Sequence, residues 1–191
     1  MTAYTIKLQP ALTMSDDQFY QLCITNPDLK FERNDQGDLL IMSPTGGETG
    51  QRNVELATEF VLWNRRQRLG IVFDSSTAFK LPGGGERSPD VAWVEQSRWD
   101  ALTPDQRQTF PPIAPDFVLE LLSPSDRLAA VQAKMQEYMA SGVRLGWLID
   151  PGSQQVEVYR QGQAPERLDR PTSLSGETVL PGFVLNMGLV W

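Results

Sequence analysis

The sequence contains no histidine and one cysteine, Cys23. Without an imidazole there can be no Ser-His-Asp hydrolase, no Cys-His pair and no His-ligated zinc or iron site. A lone thiol forms no internal disulfide and no sulfur-rich zinc site. Cys23 lies in FYQLC, on a short amphipathic pattern where it serves as packing filler. Catalysis therefore falls to carboxylates, lysine, tyrosine, serine or a metal held by oxygen, and oxygen ligands select hard cations such as Mg2+ or Mn2+.

Long apolar runs are also lacking: none approaches the roughly 20 residues needed to span a bilayer. The opening MTAYTIKLQP has no basic region followed by an apolar one, so the protein is expected to be cytoplasmic. There is no surplus of positive charge either, with 17 Lys and Arg against 24 Asp and Glu. A net charge of -7 weighs against nucleic-acid binding, because phosphate neutralisation favours a basic surface. Arg52, Arg65, Arg66 and Arg68 nevertheless cluster, and a local patch can coexist with an acidic total. The 40% hydrophobic and 21% charged composition is that of a globular chain, and 191 residues suit one well-cored domain.

Local patterns predict a mixed α/β protein with a central sheet flanked by helices. SDDQFYQLCI (15–24) reads as a short helix capped by Thr13 or Ser15, and LKFERNDQGDLLIM (29–42) as a hairpin turning at 34–37. SPTGGETG is a loop by composition, followed by a helix from Gln51 to Arg68 that ends at Gly70. The tri-glycine 83–85 lacks the Lys-Ser/Thr of a phosphate loop and reads as a hairpin turn. SPDVAWV (88–94) is a strand, and 116–122 is apolar enough to be covered on both faces. A helix capped by Ser125 or Asp126 then runs to Gly142, and RLGWLID (144–150) completes a βαβ unit. VEVYR, a strand near 178–180 and GFVLNMGLVW add antiparallel pieces. Trp63, Trp93, Trp99 and Trp147 could stack on bases, although tryptophans at such positions more often fill cores.

Two acids stand out against this pattern. Asp90 opens one apolar run, and Glu120 is embedded among Phe117, Val118, Leu119, Leu121 and Leu122. A carboxylate on a buried strand loses its hydration and takes a partner, a proton or a metal. Asp90 could instead cap a turn, and Glu120 could pair with a buried cation. Thirty residues separate them, enough for neighbouring strands whose acids meet at one end of a sheet. A hard cation between two carboxylates, with the residue-121 carbonyl as a further ligand, is suited to phosphodiester hydrolysis. Glu55, on the preceding helix, could add a carboxylate, although a solvated face is the simpler reading.

Pro89-Asp90 followed by Glu120 resembles the PD-(D/E)xK nuclease superfamily. MSPTGGETGQRN, SPDVAWV, FVLELLSPSD, KMQEYMASGVRLGWLID and LPGFVLNM are similar, over about 28–190, to its family of restriction endonucleases. That resemblance implies a restriction-endonuclease-like fold with a core over about 28–160 in a single domain, and a Mg2+- or Mn2+-dependent endodeoxyribonuclease. It further implies Asp90 and Glu120 as metal ligands and catalytic residues, DNA as partner, and a homodimer. The motif lysine is missing, since Leu122 stands two residues beyond Glu120. The family's alternative is a lysine from the next helix, here Lys134. At 100° per residue Lys134 lies at the margin of the face formed by Leu128, Val131, Met135, Tyr138 and Met139, within reach of the sheet. A lysine there can also snorkel, its stem on apolar surface and its ammonium in water. Gln132, on the other margin, is a weaker candidate for positioning water or metal.

Overall fold

A computed structural model describes residues 3–191. The chain opens with β1 (Ala3–Ile6), α1 (Asp16–Thr25), β2 (Lys30–Arg33), β3 (Leu39–Met42) and α2 (Gly47–Gln67). β4 (Gly70–Asp74), β5 (Phe79–Lys80), β6 (Glu86–Arg87) and β7 (Val91–Glu95) follow, then short helices α3 (Gln96–Asp100) and α4 (Pro104–Gln108). β8 (Phe117–Leu121), α5 (Leu128–Ala140) and β9 (Leu145–Asp150) lead to β10 (Gln155–Arg160), β11 (Glu166–Asp169), β12 (Ser173–Ser175) and β13 (Val184–Asn186).

A six-stranded sheet runs β11-β10-β9-β8-β7-β4, and a five-stranded sheet runs β1-β3-β2-β6-β5. In the larger sheet β8 pairs parallel with β9, as the βαβ reading requires, and antiparallel with β7. All of β8 is buried, which explains its uninterrupted apolar sequence. Alternation sorts its side chains by face. Phe117, Leu119 and Leu121 join Leu56, Phe60 and Trp63 of α2, whereas Val118 joins Met135 and Tyr138 of α5. Trp63, Trp93 and Trp147 are buried in that first core, where Trp147 meets Phe117 edge-on and stacks near Phe183. Trp99 packs against Phe73 at the periphery. None of these four is an open stacking platform.

Several boundaries differ from the sequence reading. α2 starts inside the glycine-rich stretch because its residues follow Gly46 as N-cap, and it stops at Arg68 in the left-handed region rather than at Gly70. Gly70 instead begins β4. A Cβ there would lie 2.2 Å from the Val94 carbonyl oxygen and 2.6 Å from the Trp93 ring. Backbone cannot yield as a side-chain tip can, so Gly70→Ala should lower unfolding free energy by about 1–3 kcal/mol in urea denaturation. An unchanged midpoint would contradict this packing. α5 is not capped by Ser125 or Asp126; Arg127 is its N-cap, and Asp126 accepts hydrogen bonds from the Ser123 amide and hydroxyl. The expected strand near 178–180 is a turn, and β12 and β13 form the C-terminal pair on either side of it. The tri-glycine does close a hairpin, with the Leu81 amide donating to the Gly85 carbonyl between β5 and β6. No helix among the described residues is long and apolar enough to cross a membrane.

Candidate active site

Register brings the two acids together. β7 and β8 pair Val91 with Leu119, and continuing that antiparallel ladder by one residue sets Asp90 opposite Glu120. Both lie on the α5 side of the sheet by alternation, as do Ala92 and Val118. α5, crossing from β8 to β9, lays Lys134 and Tyr138 over the same strand end. The result is a cavity of about 260 Å³ lined by Asp90, Glu120, Lys134, Glu32, Asn53 and Arg127, among others.

Each acid commits one oxygen to the protein. Asp90 Oδ2 accepts the Leu121 amide at 2.8 Å, and its Oδ1 takes only a long 3.4 Å contact from Asn53 Nδ2. Glu120 Oε1 accepts from Tyr138 Oη at 2.9 Å and pairs with Lys134 Nζ at 2.8 Å. Its Oε2 has no hydrogen bond among the described residues. Burial raises the Asp90 pKa. Burial, opposed by Lys134 but reinforced by Asp90 and Glu32, pushes Glu120 up to about 7.

Lys134 is not snorkelling. Its side chain is 10% exposed, and its ammonium reaches Glu120 Oε1, Glu32 Oε1 at 3.0 Å and the Ser88 carbonyl at 3.2 Å. Burial alone would lower its pKa, but Glu120 and Glu32 outweigh that and keep it protonated. Nothing in the sequence marks Glu32, which falls in the predicted hairpin. Its Oε1 also accepts the Ser88 amide at 3.2 Å, and its Oε2 pairs with Arg87 at 3.1 Å. Arg87 in turn pairs with Glu137, one turn beyond Lys134 on α5. Burial would raise Glu32, yet Lys134, Arg87 and Lys30 hold it at about 2.

The donor set suits a small hard cation. Among the described residues no group of three or more His, Cys, Asp and Glu side chains is placed to hold a metal, so an all-protein cage is not available. Mg2+ does not need one, since it is commonly held by one or two carboxylates and otherwise by water and substrate oxygens. Asp90 and Glu120 could supply the carboxylates. Asn53 Oδ1 and Thr45 Oγ1, both lining the cavity, are buried acceptors without a hydrogen-bond partner. Lys134 is ion-paired with Glu120 and Glu32, and Arg87 with Glu32 and Glu137, whereas Asp90 has no ion-paired cation among the described residues, so its charge is left for a cation to offset.

Other candidates fall away from the cavity. Gln132 donates to Glu157 Oε1 on β10 at 2.8 Å, so its amide is committed to the far side of α5. Glu55 is exposed on α2, on the solvated face. Arg65 and Arg66 lie in the last turn of α2, about 18 Å along the axis from Asn53 at 1.5 Å per residue. Arg52 is closer, but its Nε donates to the Val190 carbonyl. The basic cluster read from sequence is therefore not assembled at the acids.

The family model of Uma2, described as "Putative restriction endonuclease", matches residues 16–188. No curated protein matches the chain. Among solved structures, the crystal structure of a "putative nuclease belonging to DUF820" from Anabaena variabilis shares the fold. Its TM-score is 0.77 at 24% identity, covering 91% of this chain and 95% of that one. With the fold restriction-endonuclease-like and the family model matched over nearly the whole length, this chain belongs to the Uma2 family.

Proposed function

We propose that this chain is a divalent-metal-dependent endonuclease that hydrolyses phosphodiester bonds in DNA. The observation that carries the proposal is the meeting of Asp90, Glu120 and Lys134 at one cavity, from two strands and a crossover helix. Family membership supports the nuclease reading. Asp90 and Glu120 would hold Mg2+ or Mn2+, and Asn53 and the Leu121 carbonyl are candidate neutral donors. When bound, such a cation supplies positive charge to the phosphoryl oxygens and acidifies a water.

The remaining roles belong to the chain itself. Glu120 and Glu32 raise the Lys134 pKa, so in this reading it acts as a cation that assists the attacking water and stabilises negative charge developing beside Glu120. Tyr138 fixes the Glu120 rotamer through its hydroxyl. Arg127, exposed on the cavity rim, offers a guanidinium to a flanking phosphate. We read residues 1–191 as one nuclease domain that acts as a homodimer, since two sites related by a twofold axis suit the two strands of a duplex.

Calorimetry with Mg2+ and Mn2+, on wild type and Glu120→Gln, with plasmid cleavage on the same samples, tests the reading. Wild type should bind and nick, and Glu120→Gln should lose affinity by roughly 10-fold or more together with cleavage. Folded wild type that binds neither cation would shift the reading to a nuclease-fold binding or dimerisation module. One observation favours that second reading: the three ammonium donors of Lys134 are all engaged by protein oxygens, as in a structural lysine.

A further inference from the structure

We infer that Glu32 is the positioning residue that divides the Lys134 ammonium between two carboxylates and so keeps Glu120 open to a cation. The inference rests on the nuclease reading for its consequence, but the contact that carries it is independent of any metal. Glu32 is 1% exposed, yet it comes from the five-stranded sheet rather than from the sheet bearing Asp90 and Glu120. On β2 the side chains alternate: Arg33 points away to Glu86, and Phe31 joins the core under α1, whereas Glu32 points to α5. β6 repeats the pattern, with Glu86 on Arg33 and Arg87 on Glu32. The five-stranded sheet thereby contributes Glu32 and Arg87 to the wall of the cavity opposite the sheet that bears Asp90 and Glu120.

Geometry fixes what Glu32 does there. The Ser88 amide and Arg87 hold its carboxylate from two sides at 3.2 and 3.1 Å, so it cannot swing toward the ammonium or away from it. Arg87 is itself anchored to Glu137 on α5, which locks the helix carrying Lys134 to β6. Lys134 therefore sits between a fixed acid and Glu120, at 3.0 and 2.8 Å respectively. Without the fixed acid, the ammonium's nearest anionic partner would be Glu120 alone. It would then compete with a cation for that carboxylate. Glu32 acts through Lys134 and touches neither reacting atoms nor the cavity's other acid, so it is a positioning residue rather than a catalytic one.

The test combines two measurements on Glu32→Gln, Lys134→Met and the double variant. The first is the 15N resonance of the Lys134 ammonium, assigned by its loss in Lys134→Met, in metal-free protein. The second is Mn2+ affinity by calorimetry. Glu32→Gln should shift or broaden the ammonium signal and weaken Mn2+ binding on the order of 10-fold. The double variant should recover the affinity of Lys134→Met alone, because the competing ammonium is gone. An unmoved ammonium signal overturns the inference, even if wild type binds no metal. Equal weakening in single and double variants also overturns it, since that is the result of a merely structural acid. If Glu32→Gln does not fold, Glu32→Asp keeps the charge and withdraws it by one methylene. An ammonium resonance identical to wild type in that variant would then overturn the positioning role.

Discussion

Asp90→Asn should lower metal-dependent cleavage by about 10²–10³-fold, the scale on which removing one preorganised electrostatic group acts, while leaving the fold intact. The asparagine carbonyl can still accept the Leu121 amide, so the link between β7 and β8 survives. What is lost is the Asp90 charge, and with it half of the carboxylate pair that would hold a cation. Stability should move the other way. Burial raises the Asp90 pKa, so the folded state binds a proton more readily than the unfolded chain does. Ionisation then opposes folding as pH rises from the unfolded to the folded pKa, and the full cost persists at neutral pH. The metal-free Asn variant should therefore melt at or above the wild-type temperature at pH 7. Plasmid nicking with Mn2+, beside thermal melts without it, separates the outcomes. An unfolded variant would make Asp90 a structural acid, and undiminished nicking would remove it from the site.

The parts of this architecture that were legible in sequence are those where burial writes itself into composition. β8 could be read because no polar position interrupts it except Glu120, and that exception marks the candidate site. α5 and β9 followed from a 3.6-residue pattern and a second apolar run. Asp90 was found because it precedes a strand that had to pair nearby. Glu32 and Arg87 were not, and the reason is physical. In KFER, Lys30 and Glu32 flank Phe31 on the opposite face, the pattern of a strand with one face in water. The face holding Glu32 is instead covered by α5, and only the tertiary arrangement of two sheets reveals that. Tyr138 was placed correctly on the core face of α5, but nothing in its spacing announced that its hydroxyl would meet Glu120. The start of α2 was hidden by glycines that composition assigns to loops. The resemblance supplied Lys134, whose partners then came from the structure.

Lys134→Ala should produce the largest combined effect, because in the proposed site the same ammonium would serve both stability and chemistry. Its removal leaves Glu32 and Glu120 buried with Arg87 as the remaining ion-paired cation beside Glu32. Breaking a buried pair by deleting one partner costs about 3–5 kcal/mol, since the surviving charge has lost both water and counter-ion. Urea denaturation of the metal-free protein should show that loss. A divalent cation restores positive charge at the same place, so Mn2+ should stabilise Lys134→Ala more than it stabilises wild type. Affinity for Mn2+ should be retained or tightened, because the ammonium no longer shares Glu120. Cleavage should nonetheless fall by about 10²-fold, as the charge that Lys134 would place beside a reacting phosphate in the proposed mechanism is absent. Rate and affinity thus move in opposite directions, which a general loss of structure would not produce. Unchanged turnover in the folded variant would assign Lys134 to stability alone, and parallel loss of affinity and rate would mean that it supports the ligands rather than the chemistry.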